Sequence, residues 1–403
     1  MTDQTQHAPS TTKNVFDDWR TVCVALYLAL AGYAVLVGIP VISSAWVNLL
    51  GFTEPQVGRV AGADLGGLSL GSVVTAWLIT RYDRRLLIIL SGLFAIAMNG
   101  LCMVYTDYEM MLALRLAAGF GAGILTSVAI ATLSATSNPA RTFNLLLFCF
   151  AFSQAAEIYF LPKLPVNGIY AAFMISFAVG LVFVRFIPPR ATQTSRPPHP
   201  QSSDTEEPAQ LDVPAYVPWL VLGAIMAVYV NIGAYWTYIE LATAGTATSD
   251  KWVGNALTIA SLFSIAGCLT ATVISNRYGL ARPLLGTLII HAIVVWLLVL
   301  GINNITFTIS VFAFNYLWIF IDVYQMATIA NVDKTGRYAA LMPGAQGLGQ
   351  ILGPNIAATL LAYNLGYNAV FLMCGLASIA AMIIYSYMYL MLRKKIPTLA
   401  DAS

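Results

Sequence analysis

Apolar segments long enough to cross a membrane follow one another along almost the whole chain. A helix needs about 20 consecutive apolar residues to span the hydrocarbon, and its own backbone hydrogen bonds satisfy polar groups that lipid would leave without partners. The pattern therefore predicts an all-α integral membrane protein. Its twelve predicted transmembrane helices cover residues 20–48, 56–80, 86–106, 109–134, 142–162, 168–188, 215–243, 252–276, 283–301, 304–330, 338–363 and 367–392.

The composition agrees with this pattern and excludes other classes of protein. Of the 403 residues, 59% are hydrophobic and 9% are charged, whereas soluble domains carry about 25% charged residues. The polar start of the chain is too long and too acidic for a signal peptide, so no cleavage is expected. The five cysteines fall in predicted spans and lack ligand spacing, so no disulfide, metal site or cofactor is expected.

The basic residues set the predicted orientation. If the N-terminus is cytoplasmic, most of the 20 lysines and arginines lie on the cytoplasmic side, as the positive-inside rule requires. Both termini are then cytoplasmic in a cell membrane, which is the inner membrane if the source is Gram-negative. The exceptions are Arg59, Arg115, Lys163 and Lys251. The net charge of +2 needs no nucleic-acid partner to explain it.

A polar segment divides the chain into two halves of six spans each. This segment is rich in Pro, Ser, Thr and charge, which is the composition of a flexible linker. The predicted organisation is a cytoplasmic tail at 1–19, a six-helix bundle at 20–188, a cytoplasmic linker at 189–214, a second six-helix bundle at 215–392 and a cytoplasmic tail at 393–403.

The two halves match each other at a constant spacing of 196 residues. "EPQVGR" at Glu54 corresponds to "DKWVGN" at Asp250, and "TRYDRR" at Thr80 corresponds to "NRYGLA" at Asn276. A third match, with one residue of slack, pairs the loops after spans four and ten. Two parallel repeats about an axis along the membrane normal are typical of one class of transporters, with the substrate site near the midplane between the halves.

The segment after span two resembles the signature of the major facilitator superfamily, G-x-x-x-D-R-x-G-R-R. It reads "AWLITRYDRR", with Arg81, Arg84 and Arg85 at the basic positions and Thr80 at the acidic one. The resemblance covers essentially the whole chain and implies two pseudo-symmetric six-helix bundles. In the family this signature latches the cytoplasmic side, with Asp83 expected here to replace the family's acid. The resemblance thus implies a cytoplasmic gate of Arg81, Asp83, Arg84 and Arg277.

Two further signatures of the same family concern spans four and five. The span-four pattern, R-x-x-x-G-x-G-x-G, is matched by Arg115, Gly119, Gly121 and Gly123. The Gly-Pro motif that the family's antiporters carry in span five is missing, since Glu157 stands at its glycine, although span eleven has Gly353 and Pro354. This absence argues against an efflux role.

Ionisable side chains within predicted spans are costly in lipid and mark functional sites. At 1.5 Å per residue, Arg115 and Glu157 each lie roughly 8–10 Å below the outer boundary, and Asp64 lies somewhat deeper. Arg115 is expected to pair with Glu157, as a static bridge or a changing one, or to be shared with Asp64. Closing a cavity desolvates a carboxyl and favours proton uptake, which a nearby arginine opposes. Asp64, Arg115 and Glu157 are therefore the predicted proton-coupling residues.

Polar and aromatic residues recur at helical spacing on spans seven and ten. Such a stripe lies on one face of its helix and should face a cavity. Aromatic walls with few polar groups suit a small organic ligand, and an acid among them suits an organic cation, although such aromatics also serve packing alone. His291 is interpreted as satisfied by a nearby hydroxyl or carbonyl, not as a relay to Asp322. The predicted substrate-binding residues are Asn231, Tyr235, Tyr238, Asn315, Trp318, Asp322 and Gln325.

The predicted function is secondary active transport of a small organic solute by alternating access, coupled to protons. A facilitative carrier or a multidrug or metabolite exporter is the alternative within this class, and a non-transporting membrane sensor is the alternative outside it. The predicted partners are the solute, protons and the lipid bilayer, with the chain acting as a monomer. No nucleophile–base or metal set converges in the sequence, so no enzymatic activity is expected. Substrate and direction of transport stay open.

Overall fold

Twelve long helices form almost all of the described structure, a computed structural model. It describes residues 14–189, 214–332, 338 and 341–395, apart from the side chains of residues 139–140, 275–278 and 394–395. The helices are α1 (Trp19–Leu50), α2 (Glu54–Leu78), α3 (Arg84–Val104), α4 (Tyr108–Ser134), α5 (Pro139–Phe160), α6 (Val166–Val182), α7 (Val217–Tyr238), α8 (Asp250–Tyr278), α9 (Ala281–Trp296), α10 (Asn304–Val332), α11 (Met342–Ala362) and α12 (Gly366–Lys395).

Each predicted span coincides with one of these helices, so the all-α fold class is confirmed. Within the described residues, nine helices are both long and apolar enough to cross a membrane. The other three are α2, α6 and α11, of which α6 is only 17 residues long. Glycine and polar side chains lower the hydropathy of α2 and α11, and these two helices pack against each other. The predicted tails before residue 14 and after residue 395, most of the linker and the loop at 333–337 lie outside the described residues.

Short polar residues fix where several helices begin. Thr53 and Gln56 form a capping box at the start of α2, in which each side chain accepts a hydrogen bond from the other residue's backbone N–H. The side chains of Asp83, Asp107 and Ser249 accept backbone hydrogen bonds at the starts of α3, α4 and α8. These acceptors satisfy N–H groups that have no partner within the helix. The polar interruptions of the apolar pattern are therefore the helix boundaries.

The helix contacts repeat between the halves, as the constant spacing in the sequence predicts. In the first half α2 packs on α4, α3 on α6 and α1 on α5, and the second half repeats these contacts as α8 on α10, α9 on α12 and α7 on α11. Between the halves, α2 packs on α11 and α5 packs on α8. These two contacts are also equivalent under the repeat. The structure is thus two related six-helix bundles joined along two helix pairs.

Glycines bring α2 and α4 into backbone contact. A Cβ atom added at Gly67 or Gly71 would collide with a backbone carbonyl oxygen of α4, and one added at Gly119 or Gly123 would collide with a carbonyl oxygen of α2. Small residues permit such close approach between helices in lipid. The close packing predicted from the glycine spacing is therefore present, and it sets the distance at which Asp64 and Arg115 face each other.

We expect Gly123→Ala to lower the stability of the folded protein, because the added methyl group overlaps the Leu68 backbone. Overpacking of this kind costs about 1–3 kcal/mol. The measurement is the thermal unfolding midpoint of the purified protein in detergent. Gly254→Ala on α8 is the matched control, since a Cβ there meets no atom within 4 Å. An equal effect of both substitutions would contradict the close approach of α2 and α4.

Candidate functional site

Arg115 forms a buried ion pair with Asp64. Its Nη2 and Nε atoms donate to the same carboxylate oxygen, Asp64 Oδ2, at 2.6 and 3.0 Å, and its Nη1 donates to Asn99 Oδ1 at 2.8 Å. The two charged side chains are 1% and 3% exposed. Three helices, α2, α3 and α4, therefore meet at one guanidinium group, and the opposite charges compensate each other inside the first half.

Aromatic residues of α1 and α6 cover the Arg115 guanidinium group. The guanidinium carbon of Arg115 lies 5.7 Å from the ring centroid of Tyr170 on α6. The Tyr170 hydroxyl accepts a 2.9 Å hydrogen bond from the indole of Trp46 on α1. Both aromatic side chains are 1% exposed. The surroundings exclude bulk water, so the ion pair lies in a medium of low polarity, where an uncompensated charge is expensive.

The expected pairing of Arg115 with Glu157 is wrong for this structure. Glu157 on α5 lies against Gly38 of α1, and its Oε1 accepts a 3.2 Å hydrogen bond from Ser153. Its other oxygen is buried and has no hydrogen-bond partner among the described residues. α4 turns Arg115 towards α2, α3 and α6. Rotation about the helix axis, which depth does not specify, separates the two charges.

The repeat shows that this ion pair is not needed to build a six-helix half. At the spacing of 196 residues, Asp64, Asn99 and Arg115 correspond to apolar residues of the second half. Those residues are Ala260, Val295 and Val311, all 0% exposed. The same architectural positions are thus filled by hydrocarbon in one half and by a hydrogen-bonded ion pair in the other.

A second polar cluster surrounds Asp322 on α10. The Tyr229 hydroxyl on α7 donates to Asp322 Oδ2 at 2.7 Å and accepts a hydrogen bond from Gln346 Nε2 on α11 at 3.0 Å. Asp322 Oδ1 is buried and has no partner among the described residues. Tyr33 on α1 is close enough to interact electrostatically with this carboxyl. The cluster therefore draws on three helices of the second half and one of the first.

Asn315 and Trp318 continue this cluster along α10. Asn315 Oδ1 lies 3.5 Å from Gln154 Nε2 on α5, across the boundary between the halves. The Trp318 ring packs edge-on against Trp236 with centroids 6.1 Å apart, and both indole N–H groups lack a partner within the described structure. We call this group of residues the Asp322 cluster: Tyr33, Tyr229, Trp236, Asn315, Trp318, Asp322 and Gln346.

The other predicted substrate residues do not join this cluster. Asn231 donates to Ser378 at 2.7 Å and lies 3.4 Å from His291. The Tyr235 hydroxyl lies 2.8 Å from that of Ser310. Gln325 is fully buried and lies beside Tyr385 of α12.

The prediction that one continuous stripe faces one cavity is therefore corrected. Asn231, Tyr235 and Gln325 point into the second half, because a buried helix has neighbours on several faces. Tyr238 is different again, because its hydroxyl donates to the Glu54 backbone carbonyl of α2 at 2.9 Å. The interpretation of His291 as satisfied by a hydroxyl agrees with the structure, since its Nδ1 lies 3.1 Å from Ser378 Oγ.

Sequence reasoning missed Tyr229, Gln346, Tyr33 and Asn99. Asn99 and Gln346 are polar residues within apolar helices, so the signal that identified Asp64 was present there too. Tyr33 and Tyr229 give no such signal, because isolated tyrosines are common in membrane helices.

A family profile described as Major Facilitator Superfamily matches residues 22–354. The chain belongs to the major facilitator superfamily. No curated protein matches the sequence. Solved structures with the same fold include the nucleoside transporter NupG, with a TM-score of 0.70 and 12% identity over 91% of this chain and 98% of that chain. They also include a D-xylose–proton symporter, with a TM-score of 0.70 and 12% identity over 95% and 99%. At such identities the similarity shows the fold alone.

The superfamily gate signature contacts only the first half in this structure, as far as it is described. Asp83 caps α3 by accepting from the Arg85 backbone at 2.7 Å. The Arg84 guanidinium lies 4.8 Å from the centroid of Phe16, and that of Arg81 lies 4.0 Å from the centroid of Trp77. The side chain of Arg277 lies outside the described residues. A latch between the halves therefore stays a prediction for another conformation of this superfamily member.

At the opposite ends of the helices, the halves are joined by hydrogen bonds. Arg59 of α2 donates from Nη1 to Asn355 Oδ1 at 3.0 Å and from Nη2 to Thr359 Oγ1 at 2.9 Å, both on α11. The bond from Tyr238 to Glu54 lies at the same end. Gly58 and Gly62 allow this approach, since a Cβ at either would collide with a side chain of the second half. This end of the superfamily member is closed.

We expect Arg115→Met to destabilise the protein by about 3–5 kcal/mol, because it leaves the Asp64 carboxylate buried without a countercharge. The double variant Asp64→Asn/Arg115→Met has no unpaired charge and should recover much of this loss. Thermal unfolding midpoints of the purified variants measure both effects. If the double variant is less stable than Arg115→Met alone, the charge-compensation account of this site is wrong.

Proposed function

We propose that this protein is a secondary active transporter that moves a small organic solute by alternating access and is driven by protons. Its family consists of secondary transporters, and its described helices are those of a multi-pass membrane protein. Both termini are placed in the cytoplasm, with the protein acting as a monomer in the cell membrane. The solute site is assigned to the Asp322 cluster, and the proton site to Asp64, Arg115 and Glu157.

The observation that carries the proton-coupling proposal is the one-sided ion pair. The first half has a buried ion pair at positions where the second half has only apolar side chains. Charged groups within a membrane protein are costly, and they are generally functional. Arg115 donates two hydrogen bonds to Asp64 and so opposes its protonation. Any movement that separates α2 from α4 or redirects the guanidinium therefore leaves a desolvated carboxylate. Such a carboxylate binds a proton. Glu157, with a buried and unpartnered oxygen, is the second acceptor.

The closed end supports alternating access between the two halves. The hydrogen bonds of Arg59 to Asn355 and Thr359 join two neutral acceptors to a single charge. Water can replace such contacts at modest cost because each is a single hydrogen bond near the protein surface. Loss of the α2–α11 and α7–α2 contacts would then open this end, which the predicted orientation places outside the cell. The latch of Arg81, Asp83, Arg84 and Arg277 would form on the cytoplasmic side in that state.

We expect solute flux to depend on a pH gradient, and Asp64→Asn to remove this dependence. The measurement uses purified protein in proteoliposomes, a solute selected by a thermal-shift screen of organic acids, cations, amino acids and drugs, and an internal pH-sensitive dye. Wild-type protein should move protons only when solute is present. Asp64→Asn should show solute exchange with at least about tenfold less proton movement, since an amide cannot carry a proton across. Glu157→Gln should reduce it as well.

Glu109→Gln is the matched control, because Glu109 is an exposed carboxylate in the first turn of α4. This variant should retain wild-type proton movement. Solute uptake that ignores an imposed pH gradient and is unchanged in Asp64→Asn and Glu157→Gln would exclude proton coupling and leave a facilitative carrier.

A further inference from the structure

We propose that the solute recognised at the Asp322 cluster is an organic amine bound as its ammonium ion, with an oxygen acceptor close to the charged group. This inference rests on the proposed function and names the substrate class of that site. The ammonium group donates to Asp322 Oδ1, and the acceptor oxygen receives the indole N–H of Trp318.

The two oxygens of the Asp322 carboxyl group have different surroundings. Its Oδ2 oxygen accepts a hydrogen bond from the Tyr229 hydroxyl at 2.7 Å, whereas its Oδ1 oxygen is buried and accepts no hydrogen bond of standard geometry within the described structure, although the Trp318 indole lies near the carboxyl group. A buried carboxylate oxygen without a donor is unfavourable. The position of this oxygen is fixed, because Tyr229 is itself held by Gln346. The cluster therefore presents one oriented acceptor.

No basic side chain among the described residues forms an ion pair with Asp322. Across the described residues, the single ion pair is that of Arg115 with Asp64, and no lysine or arginine approaches Asp322. The buried Asp64 and the partly buried Asp322 therefore differ in kind. Asp64 is compensated by the protein itself, whereas Asp322 has no cation beside it and can be neutralised by a proton or by the positive charge of a bound ligand.

Aromatic rings surround the Asp322 carboxyl group. Tyr33, Tyr229, Trp236 and Trp318 contribute rings to the cluster, with Trp236 and Trp318 in edge-on contact at 6.1 Å. Aromatic faces attract organic cations and also accept the apolar part of such a ligand. The Trp318 indole N–H is buried beside Asp322 and Tyr229 but makes no hydrogen bond of standard geometry to either. A bare ammonium group would leave this donor unsatisfied, and a ligand with a nearby hydroxyl or carbonyl oxygen satisfies both groups at once.

A matched pair of probes tests the charge requirement. Phenylethanolamine carries an ammonium and a hydroxyl group, and phenylethylene glycol replaces the ammonium by a neutral hydroxyl of similar size. Binding is measured by calorimetry on the full chain in lipid nanodiscs without any gradient, and tyramine is run as a second amine. We expect phenylethanolamine to bind at least about tenfold more tightly than the glycol, as for other buried charge pairs. Tyramine, whose hydroxyl group is far from its ammonium group, should bind more weakly than phenylethanolamine, and equal binding of the two amines would contradict the need for an oxygen acceptor.

Variants of Asp322 connect this preference to the residue. Asp322→Asn keeps the shape but not the charge and should remove the preference for the amines, whereas Asp322→Glu should restore part of it. Glu109→Gln removes an exposed acid on α4 and should leave binding unchanged. If Asp322→Asn does not fold, the comparison of amine and glycol on the wild-type protein still decides the question.

The proposal is overturned if neither amine binds, if the glycol binds as tightly as phenylethanolamine, or if folded Asp322→Asn keeps wild-type affinity for the amines. These outcomes differ from a failure of the proposed function. Amine binding without solute movement in proteoliposomes would contradict transport and leave the recognition intact. Proton-driven movement of a neutral solute, with no amine bound, would contradict the recognition and leave the transport intact.

Discussion

The close approach of α2 and α4 is the constraint on which the first half depends. Glycines on both helices remove the side chains that would separate the backbones, and at this distance Arg115 reaches Asp64 with two hydrogen bonds. In lipid, burying either charge without the other costs about 3–5 kcal/mol. Packing and charge compensation are therefore one arrangement: a change that opens the contact between the helices also exposes a carboxylate that must find a new partner.

The two halves place different side chains at equivalent positions of the same fold. The first half contains a self-compensated ion pair where the second half has Ala260, Val295 and Val311. The second half instead supplies Asp322, which lies within electrostatic reach of Tyr33 of the first half. We therefore assign proton coupling to the first half and ligand recognition mainly to the second. The contact of Asn315 with Gln154 places α5, which also carries Glu157, against the ligand-recognising helix. Helix α5 would therefore connect the proposed proton-coupling residue Glu157 with the proposed ligand site.

The sequence predicted what repeats along the chain, and it predicted less well what depends on rotation about a helix. Apolar segment length and polar interruptions specified the helices, and the Arg115 signature specified a buried charge. Depth placed Arg115 and Glu157 together, but they face different helices. The stripe on α7 and α10 failed for the same reason: both helices are surrounded by protein, so Asn231, Tyr235 and Gln325 satisfy packing within one half. Tyr238 and Asn315 contact the first half directly, and Asp322 lies within electrostatic reach of Tyr33 of that half.

The most direct test of this account is whether the carboxyl group of Asp64 changes protonation during the cycle. Infrared difference spectroscopy on the protein in lipid, comparing wild type with Asp64→Asn as pH is lowered or solute is added, reports a protonated carboxyl group by its C=O stretch. We expect a band that appears under these conditions in wild type and is missing in Asp64→Asn. A wild-type spectrum without any band that depends on Asp64, although solute is transported, would show that the ion pair is a static element of the fold.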